Sequence, residues 1–417
     1  MDADSMHRLT KLLADNGEAA TLSEALEAFS NYGVTIRLSA KSMVRASDQI
    51  VALTAINAAS RSFLGNVNVE CEDFLLTAPG FEGQRFHDFL TWADVKGSLS
   101  REVEAWPRVS VGVTDPLKGD IQAWAAGWEF GIGDPACSEE CFAPACVAAA
   151  GLAINEAFSI LRKDNPYAGR RSVRLSLWGP TTSSGGPSVA EVPAQDSIWM
   201  VGLGHLGQAY AWTLGFMRPG EGEVFLQDVD VVSKSTISTS MLSVSSQLGT
   251  KKTRVVSRWL EERGFKTSIV ERRFDEAQRV RPEEPSTALF GVDNAAARRV
   301  MEGAQFRLIL DAGLGSGYSD FRSLRMRSFP GPSRAAELWA SESEAVVRLS
   351  PAYRQLIEDG AEPCGVTILA TRAVGAPFVG CVAAAHVIAE RVRRQMGGPK
   401  LAFLDMNLRE PERSTSG

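Results

Sequence analysis

Three glycines near the middle of the chain have the spacing that lets a backbone approach an anion. Gly202, Gly204 and Gly207 stand in Trp199–Trp212, WMVGLGHLGQAYAW, after an apolar run and at the start of helical periodicity. In such a strand–turn–helix the glycines permit a tight turn, bring the backbone close to phosphate and let the helix pack on the strand. The helix start then presents free N–H groups and the positive end of its dipole to an anion. The plain structural alternative is that Gly204 and Gly207 serve helix–sheet packing alone. Asp228 follows at the end of the next strand-like run, where a ribose-hydroxyl partner is expected. That run is Leu226–Val232, LQDVDVV, and it carries a second acid, Asp230. One acid suffices for a nicotinamide nucleotide. A second suits a nucleotide that brings Mg²⁺, or is a solvated strand end.

Downstream, Lys251 and Lys252 open a helix, where a lysine can serve a triphosphate as a point charge. For Lys251 an ordinary helix-start lysine is the preferred reading. Asp293 and Asn294 follow the short apolar run ending at Phe290. Ligands of open α/β sheets sit at the carboxyl ends of strands, so Asp293 is placed to face the same crevice. Mg²⁺ takes few carboxylates plus phosphate oxygens. Asp and Asn are also good helix N-caps, and both readings can hold together. Cys364 lies in Asp359–Val366, DGAEPCGV, a polar loop where a thiol is exposed enough to act as a nucleophile, although no base for it is identifiable. Cys71 and Cys381 read as core cysteines. Cys137, Cys141 and Cys146 cluster in ACSEECFAPAC but lack the fourth ligand of a structural zinc site. His205 reads as positional and His386, in an apolar helix, as a satisfied core histidine.

The elements that position these residues alternate strand and helix. Periodicity indicates a helix over Leu9–Tyr32, a strand at Val34–Ser39, a buried helix at Asp48–Leu64 and a strand at Gly65–Glu70. Strands follow at Val109–Val113 and Trp124–Ile132, then an alanine-rich helix at Pro144–Leu161. Gly179–Asp196, GPTTSSGGPSVAEVPAQD, is a linker by composition. After the quoted strand come strand Glu223–Gln227, helix Lys251–Gly264, strand Ser268–Glu271, strand Ala288–Gly291, helix Ala295–Gln305, strand Arg307–Asp311 and a last helix Val382–Met396. The fold class is α/β: a Rossmann-like doubly wound sheet in two related lobes. The expected organisation is residues 1–178 as one lobe, 179–196 as linker and 197–417 as the second. Both lobes end in an alanine-rich helix, which suggests duplication.

Composition narrows the function. The 417 residues are 44% hydrophobic and 23% charged with formal net charge -6, as in ordinary globular proteins of about two domains. No basic excess is available to neutralise nucleic-acid phosphates. No secretory signal is visible. The apolar stretch Val374–Ala389 is broken by Pro377, Gly380 and His386 and is too short to span a bilayer. Six cysteines without an export signal point to a reducing, cytoplasmic setting.

The ordered set Gly202-x-Gly-x-x-Gly207, Asp228-x-Asp230, Gly249-x-x-Lys252 and Asp293-Asn-x-x-x-Arg298 resembles the ThiF/MoeB and ubiquitin-activating enzymes over Ser197–Gly397. The first lobe resembles them distantly, through Gly133–Phe158, without a glycine turn. Among compact bacterial forms, the activating enzymes of antiphage ubiquitin-like conjugation operons, the Bil type, are similar. The resemblance implies an inactive N-terminal lobe and an active C-terminal adenylation lobe. It also implies ATP and Mg²⁺ as cofactors, and adenylation of the C-terminal carboxylate of a ubiquitin-like protein. By position, Asp228 would hold the ribose, Lys252 the phosphates and Asp293 the metal. Cys364 would form a thioester for transfer to a conjugating enzyme, and no nucleic acid or membrane is involved. The sequence departs from the family at Thr236 and Thr239, where the family has Asn and Arg. Arg37 and Arg45 are candidates to replace that arginine from the first lobe. The alternatives are an NAD-dependent oxidoreductase and a non-catalytic binding scaffold.

Overall fold

The computed structural model describes residues 7–39, 44–95, 105–135, 140–179, 185–315, 317–340, 349–360, 366–367, 370 and 373–417. Short β-branched runs with both faces buried pair side by side, as parallel strands covered by helices must. In the first lobe these are β1 (Gly33–Leu38), β2 (Asn66–Glu70), β3 (Arg108–Val111) and β4 (Ile121–Ala126), followed by β5 (Glu129–Ile132) and β6 (Val173–Ser176). Their order is β2-β1-β3-β4-β5-β6, with the first four parallel and the last two antiparallel. Helices α1 (Lys11–Asp15), α2 (Leu22–Ser30), α3 (Ala46–Ser60), α4 (Phe86–Trp92) and α5 (Ala143–Arg162) complete it.

The second lobe repeats the plan. Strands β7 (Ile198–Val201), β8 (Glu223–Gln227), β9 (Lys266–Val270), β10 (Thr287–Phe290) and β11 (Leu308–Leu314) are parallel, in the order β9-β8-β7-β10-β11. Antiparallel β12 (Ser323–Phe329), β13 (Phe403–Asn407) and β14 (Thr415–Ser416) extend it. Its helices are α6 (His205–Leu214), α7 (Lys234–Ile237), α8 (Lys252–Glu261), α9 (Ala295–Val300), α10 (Ala335–Leu338), α11 (Pro351–Glu358) and α12 (Pro377–Gln395).

Several elements differ from the sequence reading. Leu9–Tyr32 is two helices, because Thr21 accepts a hydrogen bond from the Glu24 N–H and starts α2 afresh. Trp124–Ile132 is a hairpin: Gly127, at φ +56°, turns β4 into β5. Among the described residues, one helix, α5, is long and apolar enough to cross a membrane, and it is almost wholly buried in the protein. His386 on α12 is a core histidine, but neither ring nitrogen has a hydrogen-bond partner. It packs edge-on to Phe130, 6.1 Å between centroids.

The lobes share one core in which α3 and α5 face α6 and α12. A Cβ at Gly151 of α5 would lie 2.6 Å from the Phe378 carbonyl oxygen, so only glycine allows this crossing with α12. Polar groups at the seam are satisfied across it. Trp212 Nε1 donates to Thr54 Oγ1 (3.0 Å), Asn57 Nδ2 to the Met241 carbonyl (2.9 Å) and Arg61 Nε to the Ser240 carbonyl (2.8 Å). Trp92 of the first lobe stacks on Trp212 of the second at 6.1 Å and 9°, and Trp212 on Trp259 at 5.0 Å and 21°.

Two measurements test this core. Trp212→Ala should cost about 3–5 kcal/mol, as for large buried aromatics. Denaturant unfolding should show it, and a loss under about 1 kcal/mol would remove the stack from the stabilising contacts. Burial pulls His386 down to about 3, with the charge of Arg393 adding to it. The unfolded histidine binds its proton near pH 6.5 and the folded one does not, so this residue costs stability as pH falls from about 6.5 towards 3. His386→Leu should therefore flatten the fall of Tm between pH 7 and 4 relative to wild type. Parallel Tm–pH curves would refute this.

Candidate functional site

Chain progression runs β7 to β8 to β9 in one direction and then returns to the other side of β7 through β10 and β11. The crevice of such a sheet opens where the direction switches, at the carboxyl ends of β7 and β10. The glycine turn sits there. Gly202 has φ +81°, and its N–H donates to the Gln227 carbonyl (2.9 Å). A Cβ on Gly207 would lie 2.1 Å from the Gly202 oxygen, so α6 can start this close to the turn only with glycine at that position. Gly204 is the N-cap of α6, and no side chain caps that end. A Cβ there would meet nothing within 4 Å. The first N–H groups of a helix have no intrahelical acceptor. An uncapped helix start beside an unobstructed glycine therefore fits a phosphate group.

Asp228 shapes this turn. Its Oδ2 accepts from the Leu203 N–H (2.7 Å) and its Oδ1 from the Asp230 N–H (2.8 Å). Each carboxylate oxygen retains lone-pair capacity for a hydroxyl donor. Residues 228–232 are zipped to 249–252 by backbone bonds, including Val232 N–H to the Thr250 carbonyl (2.8 Å) and Lys252 N–H to the Asp230 carbonyl (3.1 Å). This clasp sets the first turn of α8. Lys252 Nζ lies 3.0 Å from Asp230 Oδ2, pairing a largely covered ammonium with an exposed carboxylate. Lys251 instead donates to the Val229 carbonyl.

On the neighbouring strand, β10 ends beside the glycine turn, with the Gly291 N–H donating to the Val201 carbonyl (2.9 Å). Asp293 is exposed at this end. Asn294 caps α9 through the Ala297 N–H (2.8 Å). Arg298, one turn on, donates to Asp311 Oδ1 (2.9 Å) and the Ala312 carbonyl (2.9 Å), which ties α9 to β11. Burial pushes the Asp311 carboxyl up to about 6, against the opposing pull of Arg298.

Thr236 and Thr239 belong to the fold of their own segment. Ser233 and Thr236 form a reciprocal cap on α7, and Thr239 Oγ1 donates to the Ser235 carbonyl (3.2 Å). Arg37 is held by Glu70 (3.0 Å) and Asp120 (3.0 Å), and Arg45 lies 3.7 Å from Asp48, so both are engaged inside the first lobe. Among the described residues, two guanidiniums reach the segment of Thr236 and Thr239: that of Arg61, through the Ser240 carbonyl, and that of Arg8. Its Nη2 donates to Ser235 Oγ (3.4 Å) and its Nη1 to the Ala373 carbonyl (3.1 Å). His205, the first residue of α6, is pulled down to about 4 by burial and then by the charge of Arg8. Arg8 thus bridges α7 and the segment before α12, and its charge is felt at the first residue of α6. No motif in the sequence marks this residue, which lies 227 positions from Ser235.

Cys364 lies outside the described residues, as does Cys137. Among the described residues no group of three or more His, Cys, Asp or Glu is arranged to hold a metal. Cys381 is buried and pushed up to about 12, so it is inert filler. Cys71 is half-buried, and its thiol donates to the Glu72 carbonyl (3.1 Å).

Comparison with known proteins places this geometry. Residues 194–398 match the family model of the BilD C-terminal domain, and residues 33–177 that of the BilD N-terminal domain. The chain is 36% identical to the bacterial E1-like protein BilD of Collimonas sp. (strain OK412), over 97% of this chain and 91% of that protein. It is also similar to E. coli MccB in its crystal structure with MccA-N7isoASN. That likeness has 16% identity and a TM-score of 0.35, over 54% of this chain and 64% of that one. The chain belongs to the BilD family of bacterial E1-like proteins.

Proposed function

We propose that this protein activates a ubiquitin-like partner by ATP-dependent adenylation of its C-terminal carboxylate, captures the acyl group on Cys364 and passes it to a conjugating enzyme. The observation that carries the reading is Arg8, whose guanidinium donates to Ser235 of α7 and whose charge acts on His205, the first residue of the uncapped α6. A cation there serves a triphosphate, whose charge must be neutralised during transfer. A nicotinamide nucleotide makes no such demand, and a scaffold needs neither the cation nor the open glycine turn.

ATP with Mg²⁺ supplies an α-phosphoryl group that a carboxylate can take, with pyrophosphate leaving. The chain's own groups bind and orient. The N–H groups at the start of α6 face the phosphates, and Asp228 holds the turn in shape while accepting from a ribose hydroxyl. Lys252 exchanges its ion pair with Asp230 for a phosphate oxygen. Asp293 and Asp230 are the carboxylates at hand for the metal, and Asn294 with Arg298 holds the segment that carries Asp293. Catalysis is then positioning plus neutralisation by fixed charges. The Cys364 thiolate attacks the acyl carbon of the adenylate, the acyl–phosphate bond breaks, AMP leaves, and a thioester remains for the conjugating enzyme.

Pyrophosphate exchange into ATP, run with the cognate ubiquitin-like protein, tests the adenylation half. Wild type should exchange. Absence of exchange, or calorimetric binding of NADH in place of ATP, sinks the reading. Arg8→Ala should lower exchange by about 10²–10³ fold with Tm unchanged, as for loss of one preorganised charge donor. Arg8→Lys should restore part of it, because an ammonium lacks the guanidinium fork. An Arg8→Ala rate within about threefold of wild type would discard its role, since one such donor is worth far more. Cys364→Ala should keep full exchange and lose the reducible thioester on gels. A thioester that survives this change moves the nucleophile to another residue.

A further inference from the structure

The cysteine cluster of the first lobe has no part in that scheme, yet two of its thiols are brought together. Cys141 precedes α5 and Cys146 lies in its first turn. Cys141 Sγ and Cys146 Sγ are 3.1 Å apart. Phe142 is the N-cap, so the pair occupies the positions at which a residue before the cap packs on the fourth helical residue. Aliphatic side chains there would give a hydrophobic staple. Two sulfurs inside their van der Waals separation are about 1 Å short of the bonding distance of a disulfide.

The backbone on either side of Cys141 is fixed. The Gly127 N–H donates to the Glu140 carbonyl (2.7 Å), and the Phe142 N–H donates to the Gly127 carbonyl (2.9 Å). The Glu140 carboxylate in turn accepts from Ser188 Oγ (3.0 Å) and the Val189 N–H (2.9 Å), in the segment that leads to the second lobe. Cys146 is held in the first turn of α5. The sulfurs already lie 3.1 Å apart between these two fixed stretches of backbone. The same distance disfavours zinc, because sulfurs around a tetrahedral zinc stand about 3.8 Å apart for Zn–S bonds of about 2.3 Å.

We propose that Cys141 and Cys146 are a reversible disulfide site, closed by a hydroperoxide. Cys141 is half-buried and Cys146 fully buried, so the oxidant reaches Cys141 first. The hydrogen bond that the Cys146 thiol donates to Cys141, with burial, holds Cys146 well above its ordinary range and keeps it protonated. Cys141 thiolate attacks the peroxide, the O–O bond breaks, and a sulfenic acid forms with loss of water or an alcohol. Cys146 sulfur then attacks the sulfenic sulfur. The S–S bond forms, the S–O bond breaks, and hydroxide leaves with the Cys146 proton as water. The product cross-links the start of α5 to the turn that faces the interlobe linker.

The test uses the full-length protein treated with hydrogen peroxide, then alkylated under denaturing conditions and mapped by fragmentation. Cys141 and Cys146 should be lost to alkylation together, as one linked species two hydrogens lighter, and dithiothreitol should restore both. Cys146→Ser should stop the reaction at a Cys141 sulfenic acid that dimedone traps. Cys141→Ser should leave Cys146 unmodified. Both thiols remaining alkylatable after peroxide, a bond from Cys137 to either cysteine, or stoichiometric zinc in the untreated protein released by thiol modification would each overturn the proposal.

Discussion

The packing of α3 and α5 against α6 and α12 is the constraint on which the site depends. Helix α6 begins at the glycine turn, and every residue from Leu206 to Leu214 is buried. Its far end lies in the stack of Trp92, Trp212 and Trp259, and its flank is tied through Trp212 to Thr54 of the other lobe. A helix so enclosed cannot slide along its axis without breaking contacts in both lobes. Its N-terminal N–H groups therefore stay aimed at one point, which is what a preorganised anion site requires. The interface between the lobes is thus the part that fixes the geometry of the glycine turn and the helix start.

Charge is arranged with the same economy. Lys252 is balanced by Asp230, Arg298 by Asp311, and Asp228 by two backbone N–H groups. The pairs differ in burial, and burial decides which of them can exchange. Arg298 and Asp311 are both largely enclosed, and separating them would strand a charge away from water. That pair is structural. Asp230 is 62% exposed, so water solvates it when Lys252 turns to another anion.

Local features of this arrangement were legible in the sequence. The strand before Gly202, the helix after it and the acid at Asp228 are each determined by residues within a few positions, and they form the β7–α6–β8 unit. The two alanine-rich helices were visible because their burial is all-round. What lay hidden depended on distance along the chain. Arg8 reaches Ser235 and Ala373 only after the N-terminal segment folds across the second lobe. Lys11 Nζ helps to hold that segment through Tyr353 Oη (2.9 Å), 342 residues away. No periodicity or motif near Arg8 encodes such a contact. The single strand expected over Trp124–Ile132 concealed a hairpin because its turn lacks the usual run of polar residues and rests on Gly127 alone. His386 was read correctly as core but wrongly as satisfied, since apolar helical context reveals burial and not the partner.

Both lobes carry four adjacent parallel strands with the lobe's first strand second in the row (β2-β1-β3-β4 and β8-β7-β10-β11), the second lobe adding β9 outside β8, yet only one keeps the glycine turn. In the first lobe β1 leads to α3 through a stretch without glycine, and α3 begins at Arg45, whose backbone is extended and whose side chain turns to Asp48. The lobe nonetheless retains the helices that pack on α6 and α12, and the segment before β1 carries Arg8. Division of labour follows from these differences. One lobe has the uncapped glycine turn. The other lacks it and supplies the buried face that steadies that turn.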